Sequence, residues 1–490
     1  MGLAARALQR TEELDPIIES MLRLTRAPGA AIAIVSGGET VFARGYGYRD
    51  LGAKLPLSSK TIYPIASTTK AMNATLLGML VEEGQLAWDE PVQRYLPAFR
   101  LRDPYISRHV TLRDLIVMRT GLPRHDWVWI EHPIDRADLV HRLEALELSA
   151  GFRERFQYNN LTTVAAGHLA EVVTGRPWED LIREKILEPL GMKDTEFTLP
   201  DTDNVSLSYH ENSRRELVLT RRLASAATGP CGGSIHSTVE DMTRWLTFNL
   251  GDRQLANRRL IDSRTLREIH SPCILAGLEE GAPSGNAAYA LGWFVDTYNG
   301  HARISHGGYL NDVQSSVMLF PNDDLGIVSF GNFCGSRLAP LINQYAFDLL
   351  MGFKPLQTVE EKLSDYEKKI EEMHARNATL RRIENTFPSH SLENYAGRYE
   401  NAGYGLFAIR SAAQVLSLER NNLVLPLEHW HYDTWVAKDH DRFGIAVPHA
   451  FDRASRLLFE TNADGEVASF TVRLEPAVAP IRFRKQRSPN

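Results

Sequence analysis

The chain has 490 residues, 43% of them hydrophobic and 24% charged, with a formal net charge of −6. This composition excludes a disordered or collagen-like chain and permits a large buried core. The slight acidity argues against a nucleic-acid partner. Three widely spaced cysteines, Cys231, Cys273 and Cys334, form neither a disulfide framework nor a metal-type pair, which reads as a reducing compartment.

The first ten residues hold an apolar stretch too short for a secretory signal, and Arg6 spoils a myristoylation pattern. No window of about 18 apolar residues occurs, so no membrane contact is expected. The expected location is cytoplasmic. From Thr11 to Leu24 apolar residues recur at helical spacing. Two apolar runs, 29–35 and 41–47, flank Ser36-Gly37-Gly38-Glu39-Thr40 and predict a β-hairpin. A helix apolar on most sides, and therefore buried, is expected over Ala71 to Glu82. Residues 111–250 read as mainly helical, with Thr162 to Thr174 and Trp178 to Leu187 as examples. Strands are expected at Ala290 to Thr297, Arg303 to Ser305, Ser315 to Phe320 and Leu325 to Phe330, then a helix over Leu338 to Met351. Hairpin, helices and strands together make one α+β unit, its early and late strands joined in one antiparallel sheet flanked by helices.

Between Val359 and Asn385 the chain is highly charged and reads as a solvated connecting helix. Short strand-like runs follow: 397–399, 406–409, 415–418, 423–427, 457–460 and 467–474, with a turn at Asn462-Ala463-Asp464-Gly465. They predict a small antiparallel barrel or sandwich. The division expected is 1–352, a helical linker 353–388, and a β-barrel 389–490.

Three short stretches carry residue types suited to acyl chemistry. In Ser67-Thr68-Thr69-Lys70, a helix opening at Ser67 would bring Lys70 round one turn later, where its amine could take the hydroxyl proton. The helix N-terminus would favour negative charge on an attacked carbonyl. In Tyr158-Asn159-Asn160, the phenol could shuttle a proton, and the Asn160 amide could bond both lysine and substrate. In His306-Gly307-Gly308, at the end of a strand, the glycines would let a substrate backbone approach and the histidine could donate to the tyrosine or to a carbonyl. Each stretch also has a plainer reading: a chance motif, a capped loop, a hairpin turn.

Taken together and in this order, the three motifs resemble those of the penicillin-recognising serine hydrolases. The likeness is to the class C β-lactamase branch, which includes D-aminopeptidases, D,D-carboxypeptidases, CubicO-type peptidases, esterases and acyltransferases. Further matching stretches are Gly45-Tyr46-Gly47-Tyr48-Arg49-Asp50, Thr111-Leu112-Arg113-Asp114-Leu115 and Gly232-Gly233-Ser234, so the resemblance spans about 11–351. Tyr395-Ala396-Gly397-Arg398-Tyr399 resembles the start of the lipocalin-like barrel appended to some of these enzymes. In them the barrel packs beside the site, and the turn Asn401-Ala402-Gly403-Tyr404-Gly405 is the candidate edge.

The resemblance implies Ser67 as nucleophile, Lys70 with Tyr158 as base and acid, and Asn160 as orienter of Lys70 and substrate. His306 would hold Tyr158 or stabilise developing charge. The N–H groups of Ser67 and Tyr309, beside Gly307 and Gly308, would form the oxyanion hole. It implies a small-molecule or peptide substrate (an amide or ester, D-residues included) and no cofactor or metal. A homo-oligomer stays open. So do transfer or cyclisation through the same serine, and a non-catalytic binding role. His306 and Gly307 stand where β-lactamases carry a lysine and a hydroxyl residue that hold a carboxylate, which implies poor β-lactam turnover. His429, His431 and Asp433 share one strand face without a recognisable zinc pattern. Cys231 reads as a packing residue, and Tyr105, Trp127 and Trp129 as candidate groove aromatics with burial as the default.

Overall fold

The structure is a computed structural model that describes residues 10–199, 201–212, 215–220, 226–251, 259–277, 284–310, 312–333, 337–355, 357–378, 381–437 and 456–487. Cys334 lies outside them. A nine-stranded antiparallel sheet runs, in spatial order, through Leu55–Pro56, Glu39–Asp50, Gly29–Ser36, Leu325–Gly331, Val313–Phe320, His301–Leu310, Phe294–Tyr298, Ala288–Tyr289 and Ile274–Leu275. The predicted hairpin therefore sits beside the last strand of its unit, with Ile32 opposite Ser329.

The central strands are apolar throughout because both faces of the sheet are covered. Ala30, Ile32 and Ile34 pack with Phe320, Ile327 and the flanking helices Leu14–Thr25 and Leu338–Met351. The alternate residues Ala31, Ala33 and Val35 face a larger core with Leu76, Leu77, Leu161 and Trp245. Period-two alternation thus splits one apolar run between two cores.

Several sequence expectations shift. The strand expected at Ala290 to Thr297 is two strands, Ala288–Tyr289 and Phe294–Tyr298, separated by a turn in which Ala290 N–H donates to Trp293 O (2.7 Å). The strand at Arg303 runs from His301 to Leu310, so the His306-Gly307-Gly308 motif lies within the strand and not at its end. Gly307 and Gly308 weaken the strand signal, but pairing opposite Ser316 and Ser315 holds the backbone extended. The helix beginning at Trp178 passes at Arg183 into a π-helical stretch ending at Leu187. The mainly helical region contains a short hairpin, Tyr209–Glu211 with Leu217–Leu219.

The charged segment forms a helix at Val359–Ala378. Beyond it, eight strands from Gly397–Asn401 to Ile481–Lys485 form a closed antiparallel barrel, sealed by Tyr399 opposite Lys485. Closure removes the exposed sheet edges. Aromatic side chains fill the interior: the Tyr399 and Phe470 ring centroids are 5.1 Å apart, and Phe470 stacks on Phe483 at 5.0 Å. An eight-stranded barrel has an interior about the width that side chains can fill. His429 and Asp433 are engaged within the chain: Nε2 of His429 meets Tyr432 O, and Asp433 accepts from Ser389.

Candidate active site

Ser67 lies in the single 3₁₀ turn Ala66–Thr68, which runs into the buried helix Thr69–Glu82. Lys70 therefore follows by about one turn, and its Nζ is 2.9 Å from Ser67 Oγ. The same Nζ donates to Asn160 Oδ1 (2.8 Å) and to the Cys231 carbonyl (2.7 Å). Lys70 is 1% exposed. Burial of an amine requires this complete set of partners.

Two close approaches hold the serine turn. Ala66 has φ of 49°, a left-handed conformation that a non-glycine residue adopts only when its surroundings hold it there. Gly232, at φ of 126°, presses on this turn, and a Cβ there would sit 2.4 Å from the Ala66 carbonyl carbon and 2.7 Å from Ser67 N. From the sheet side, a Cβ on Gly308 would fall 2.1 Å from Ser315 Oγ and 2.6 Å from Ile65 O. Ser315 Oγ itself donates to Ile65 O (2.6 Å), pinning the turn to the strand below.

Asn159 and Asn160 have different partners in the structure. Asn159 is the N-cap of helix Asn160–Thr174, its Oδ1 accepting from Thr162 N–H (2.8 Å). Asn160, the first helical residue, turns Oδ1 to Lys70 and donates through Nδ2 to Asp126 Oδ1 (2.9 Å). Asp126 also accepts from Trp129 Nε1 (3.0 Å) and from Arg124 Nε (2.8 Å). The half-buried ring of Tyr158 lies 4.9 Å from Lys70 Nζ and 5.0 Å from the Arg124 guanidinium.

His306 is placed differently from the sequence expectation. Its Nδ1 is 2.6 Å from Gly307 O, which can only accept, so Nδ1 carries the proton. Nε2 then accepts from Tyr289 OH (3.1 Å). The Tyr158 and His306 rings are 6.2 Å apart, near enough to pack, but the polar partner of His306 is Tyr289. Burial, with Lys70 adding to it, pulls the imidazole down to about 3, so it is neutral in ordinary buffers. Gly307 is exposed at the surface; Gly308 and Tyr309 are half-buried. Among the described residues, the neighbouring strand Phe294–Tyr298 pairs only from His301 to Ser305, so the motif begins where that strand stops. Tyr309 OH donates to Asp312 Oδ1 (2.6 Å).

Ser67, Lys70, Tyr158 and Asn160 are thus brought together, and the His306–Tyr309 strand packs under the serine turn. Trp127 is core, Trp129 is tied to Asp126, and Tyr105 stacks outside on His109 at 4.1 Å; they form no common groove. Burial pushes the Cys231 thiol up to about 11, so its contribution is its carbonyl and not its sulfur. Sequence reasoning missed Arg124, Asp126 and Tyr289. Each acts across a gap in the chain, and only the polar cluster Arg124-His125-Asp126 after Gly121-Leu122-Pro123 hinted at one.

A family profile described as Beta-lactamase matches residues 14–349. The chain belongs to the beta-lactamase family. A second profile, a domain of unknown function designated DUF3471, matches 381–485 and coincides with the barrel. Among curated relatives, an unguisins hydrolase of Aspergillus campestris is 26% identical over 80% of this chain and 76% of its own. Protein flp of Staphylococcus aureus is 27% identical over 72% of this chain and 69% of its own. Among solved structures, the octameric penicillin-binding protein homologue from Pyrococcus abyssi aligns at a TM-score of 0.62 and 22% identity, covering 97% of this chain and 99% of that one. A class C beta-lactamase aligns at 0.59 and 20% identity over 71% of this chain and 98% of its own. These two likenesses show the fold. Members of this family are generally serine hydrolases. Among the described residues no helix is long and apolar enough to cross a membrane.

Proposed function

We propose that the chain is a serine hydrolase that acts through an acyl-enzyme on small peptides, amides or esters. The observation that carries this reading is Lys70 Nζ, buried and 2.9 Å from Ser67 Oγ, with its other two partners both acceptors. A neutral amine has two hydrogens and one lone pair. Asn160 Oδ1 and Cys231 O take the two hydrogens, which leaves the lone pair aimed at Ser67.

In the proposed cycle the Ser67 hydroxyl attacks the acyl carbon while its proton passes to Lys70. The new C–O bond forms as the carbonyl π bond opens to an oxyanion. The N–H groups of Ser67 and Tyr309 are the candidate donors for that oxyanion, an assignment that rests on the family resemblance. Collapse breaks the bond to the leaving amine or alcohol, which takes a proton from Lys70 through Tyr158. Water then repeats the sequence and releases the acid. General-base assistance of this kind is worth about 10²–10⁴-fold in rate. His306, neutral and satisfied by Gly307 O and Tyr289, supports the strand and leaves proton transfer to Lys70 and Tyr158. A D-residue preference rests on the resemblance to D-aminopeptidases, and a hydrolytic outcome is supported by the relative named as an unguisins hydrolase. Assembly into a homo-oligomer is supported by the octameric neighbour.

The test is a chromogenic panel run on wild type and Ser67→Ala: a short-chain nitrophenyl ester, D- and L-amino-acid nitroanilides, and nitrocefin. The expected result is Ser67-dependent turnover of the ester or a D-anilide, with nitrocefin poor because neither His306 nor Gly307 supplies a carboxylate anchor. Turnover of the panel that is undiminished in Ser67→Ala would contradict the reading.

A further inference from the structure

The loop Arg124–His132 supplies Asp126 to the site, and its backbone is unusual. His125 and Glu131, which bracket the working stretch, both have left-handed backbone (φ of 47° and 49°). L-residues disfavour that conformation, so contacts must hold it. The contacts come from the barrel. Glu475 accepts from His125 N–H (2.9 Å). Tyr404 OH donates to His125 Nδ1 (2.6 Å), since His125 Nε2 carries the hydrogen given to Glu147 O (2.8 Å). Asn421 Nδ2 donates to Glu131 Oε2 (3.1 Å). Both bracketing residues are therefore fastened from the same side.

Between the brackets sits Arg420, the last residue of strand Val415–Arg420. Its guanidinium is buried and donates to the carbonyls of Trp127 (2.5 Å) and Val128 (3.3 Å), the end of the 3₁₀ turn Asp126–Val128, and to Tyr404 O (2.8 Å). No carboxylate pairs with it among the described residues, and its flat face lies 4.8 Å from the Phe407 ring. Burying a cation without a direct ion pair is costly, and burial pulls Arg420 down to about 9, with Arg142 adding to the pull and the Glu131 carboxylate opposing it. Its donors are spent on three main-chain carbonyls, two of them in the Asp126 turn, an arrangement suited to clamping backbone geometry.

We propose that Arg420, aided by Tyr404 and Glu475, is a positioning residue for the reaction: the barrel clamps the Asp126 turn so that Asp126 fixes the orientation of the Asn160 amide at Lys70. An asparagine side chain can present either its oxygen or its NH₂. Asp126, accepting from Nδ2, selects the arrangement in which Oδ1 faces Lys70. If the turn relaxes, that selection is lost. The NH₂ group can then face Nζ, the amine loses an acceptor, and its lone pair is no longer held on Ser67. The barrel thus reaches the proton-transfer pair through a continuous path: Arg420 to the Trp127 and Val128 carbonyls, along the turn to Asp126, and through Asn160 to Lys70. The inference rests on the proposed Ser67–Lys70 chemistry and assigns the DUF3471 barrel a part in it.

The experiment is the acylation rate with a nitrophenyl ester over a range of pH, in wild type, Arg420→Met, Arg420→Lys, Tyr404→Phe and Ser67→Ala, with circular dichroism and thermal unfolding as folding controls. Loss of turnover in Ser67→Ala establishes the underlying chemistry independently. The expected result for folded Arg420→Met is an acylation rate constant lower on the order of tenfold, with a smaller change in KM. Its acid limb moves to lower pH, because losing an acceptor disfavours the charged ammonium. Arg420→Lys recovers part of the rate. Tyr404→Phe removes one hydroxyl, and it decides the matter if Arg420→Met fails to fold: its acid limb moves in the same direction by less. An unmoved acid limb in every folded variant, with turnover still Ser67-dependent, would overturn the clamp and leave the serine mechanism standing. Ser67-independent turnover would remove both.

Discussion

Lys70 donates to three oxygens when charged and keeps two of them when neutral, so one geometry serves both halves of the proposed cycle. The cost falls on the surrounding residues, which must leave no slack around Ser67. Gly308→Ala puts a methyl 2.1 Å from Ser315 Oγ and 2.6 Å from Ile65 O, so the strand or the serine turn must move. Overpacking of this kind costs about 1–3 kcal/mol. We expect a lowered unfolding midpoint in thermal melts, together with a loss of acylation larger than the stability change explains. A variant acylating at the wild-type rate would show that the turn tolerates displacement. At this scale the sequence was readable where chemistry and spacing coincide in the chain, as at Ser67 and Lys70. It was not readable where a partner arrives from elsewhere. His306 was legible as a motif residue, but its partner Tyr289 lies across a turn and a strand, so the imagined bond to Tyr158 had nothing in the sequence to oppose it.

At the scale of elements, the site is a meeting of one turn, one helix start, one strand and one loop. The helix start was legible because an Asn-Asn pair before an apolar run is an N-cap signal. The motif spacing pointed to Asn160 as the partner of Lys70, and Asn160 Oδ1 does face it, whereas the capping role of Asn159 is decided by packing. Strand His301–Leu310 was under-read because two glycines interrupt the β signal, whereas pairing with Val313–Phe320 overrides them. The loop was read only for its aromatics Trp127 and Trp129, and Asp126 was missed because its partner Asn160 is 34 positions away. Asp126→Ala leaves Asn160 Nδ2 buried without its acceptor, at about 1–3 kcal/mol. We expect acylation by Asp126→Ala to fall on the order of tenfold or more, with ester KM changing less. Equal acylation in stopped-flow bursts of the two proteins would contradict the role assigned to this contact.

For the whole molecule, the barrel was legible as a run of short strands with turn signals, and all eight of its strands lie within the region matched by DUF3471. The runs alone left barrel and sandwich open, the resemblance to a lipocalin-like barrel implied closure, and the pairing of the first and last strands shows it. The turn Asn401–Gly405 does reach the beta-lactamase-family unit: Arg142 donates to Ala402 O (3.1 Å), and a Cβ on Gly403 would be 2.5 Å from Leu146 Cδ2. Charge burial also gives the molecule an acid sensitivity. His270, His132 and His306 are held down at about 4, 4 and 3, below the ordinary 6.5, by burial above all. A base with a lowered folded value binds its proton more readily when unfolded. Its contribution to stability is therefore complete above the ordinary value and is lost as pH falls toward the folded one. His270, packed on Trp293 and bonded to Asn249 Oδ1, lies outside the proton-transfer set and isolates the effect. Urea unfolding of His270→Gln should lose stability less steeply than wild type between pH 6.5 and 4, with a difference in slope of at most about 1.4 kcal/mol per pH unit. Parallel slopes would mean that His270 titrates alike in both states.

The central claim is that Ser67, with Lys70 behind it, forms the covalent intermediate. Intact-mass spectrometry of the protein quenched during turnover of a nitrophenyl ester, followed by peptide mapping, tests it most directly. The account predicts one acyl group, located on Ser67, absent from Ser67→Ala and formed far more slowly in Lys70→Ala. An acyl group mapped to another side chain, or an adduct that persists in Ser67→Ala, would contradict it.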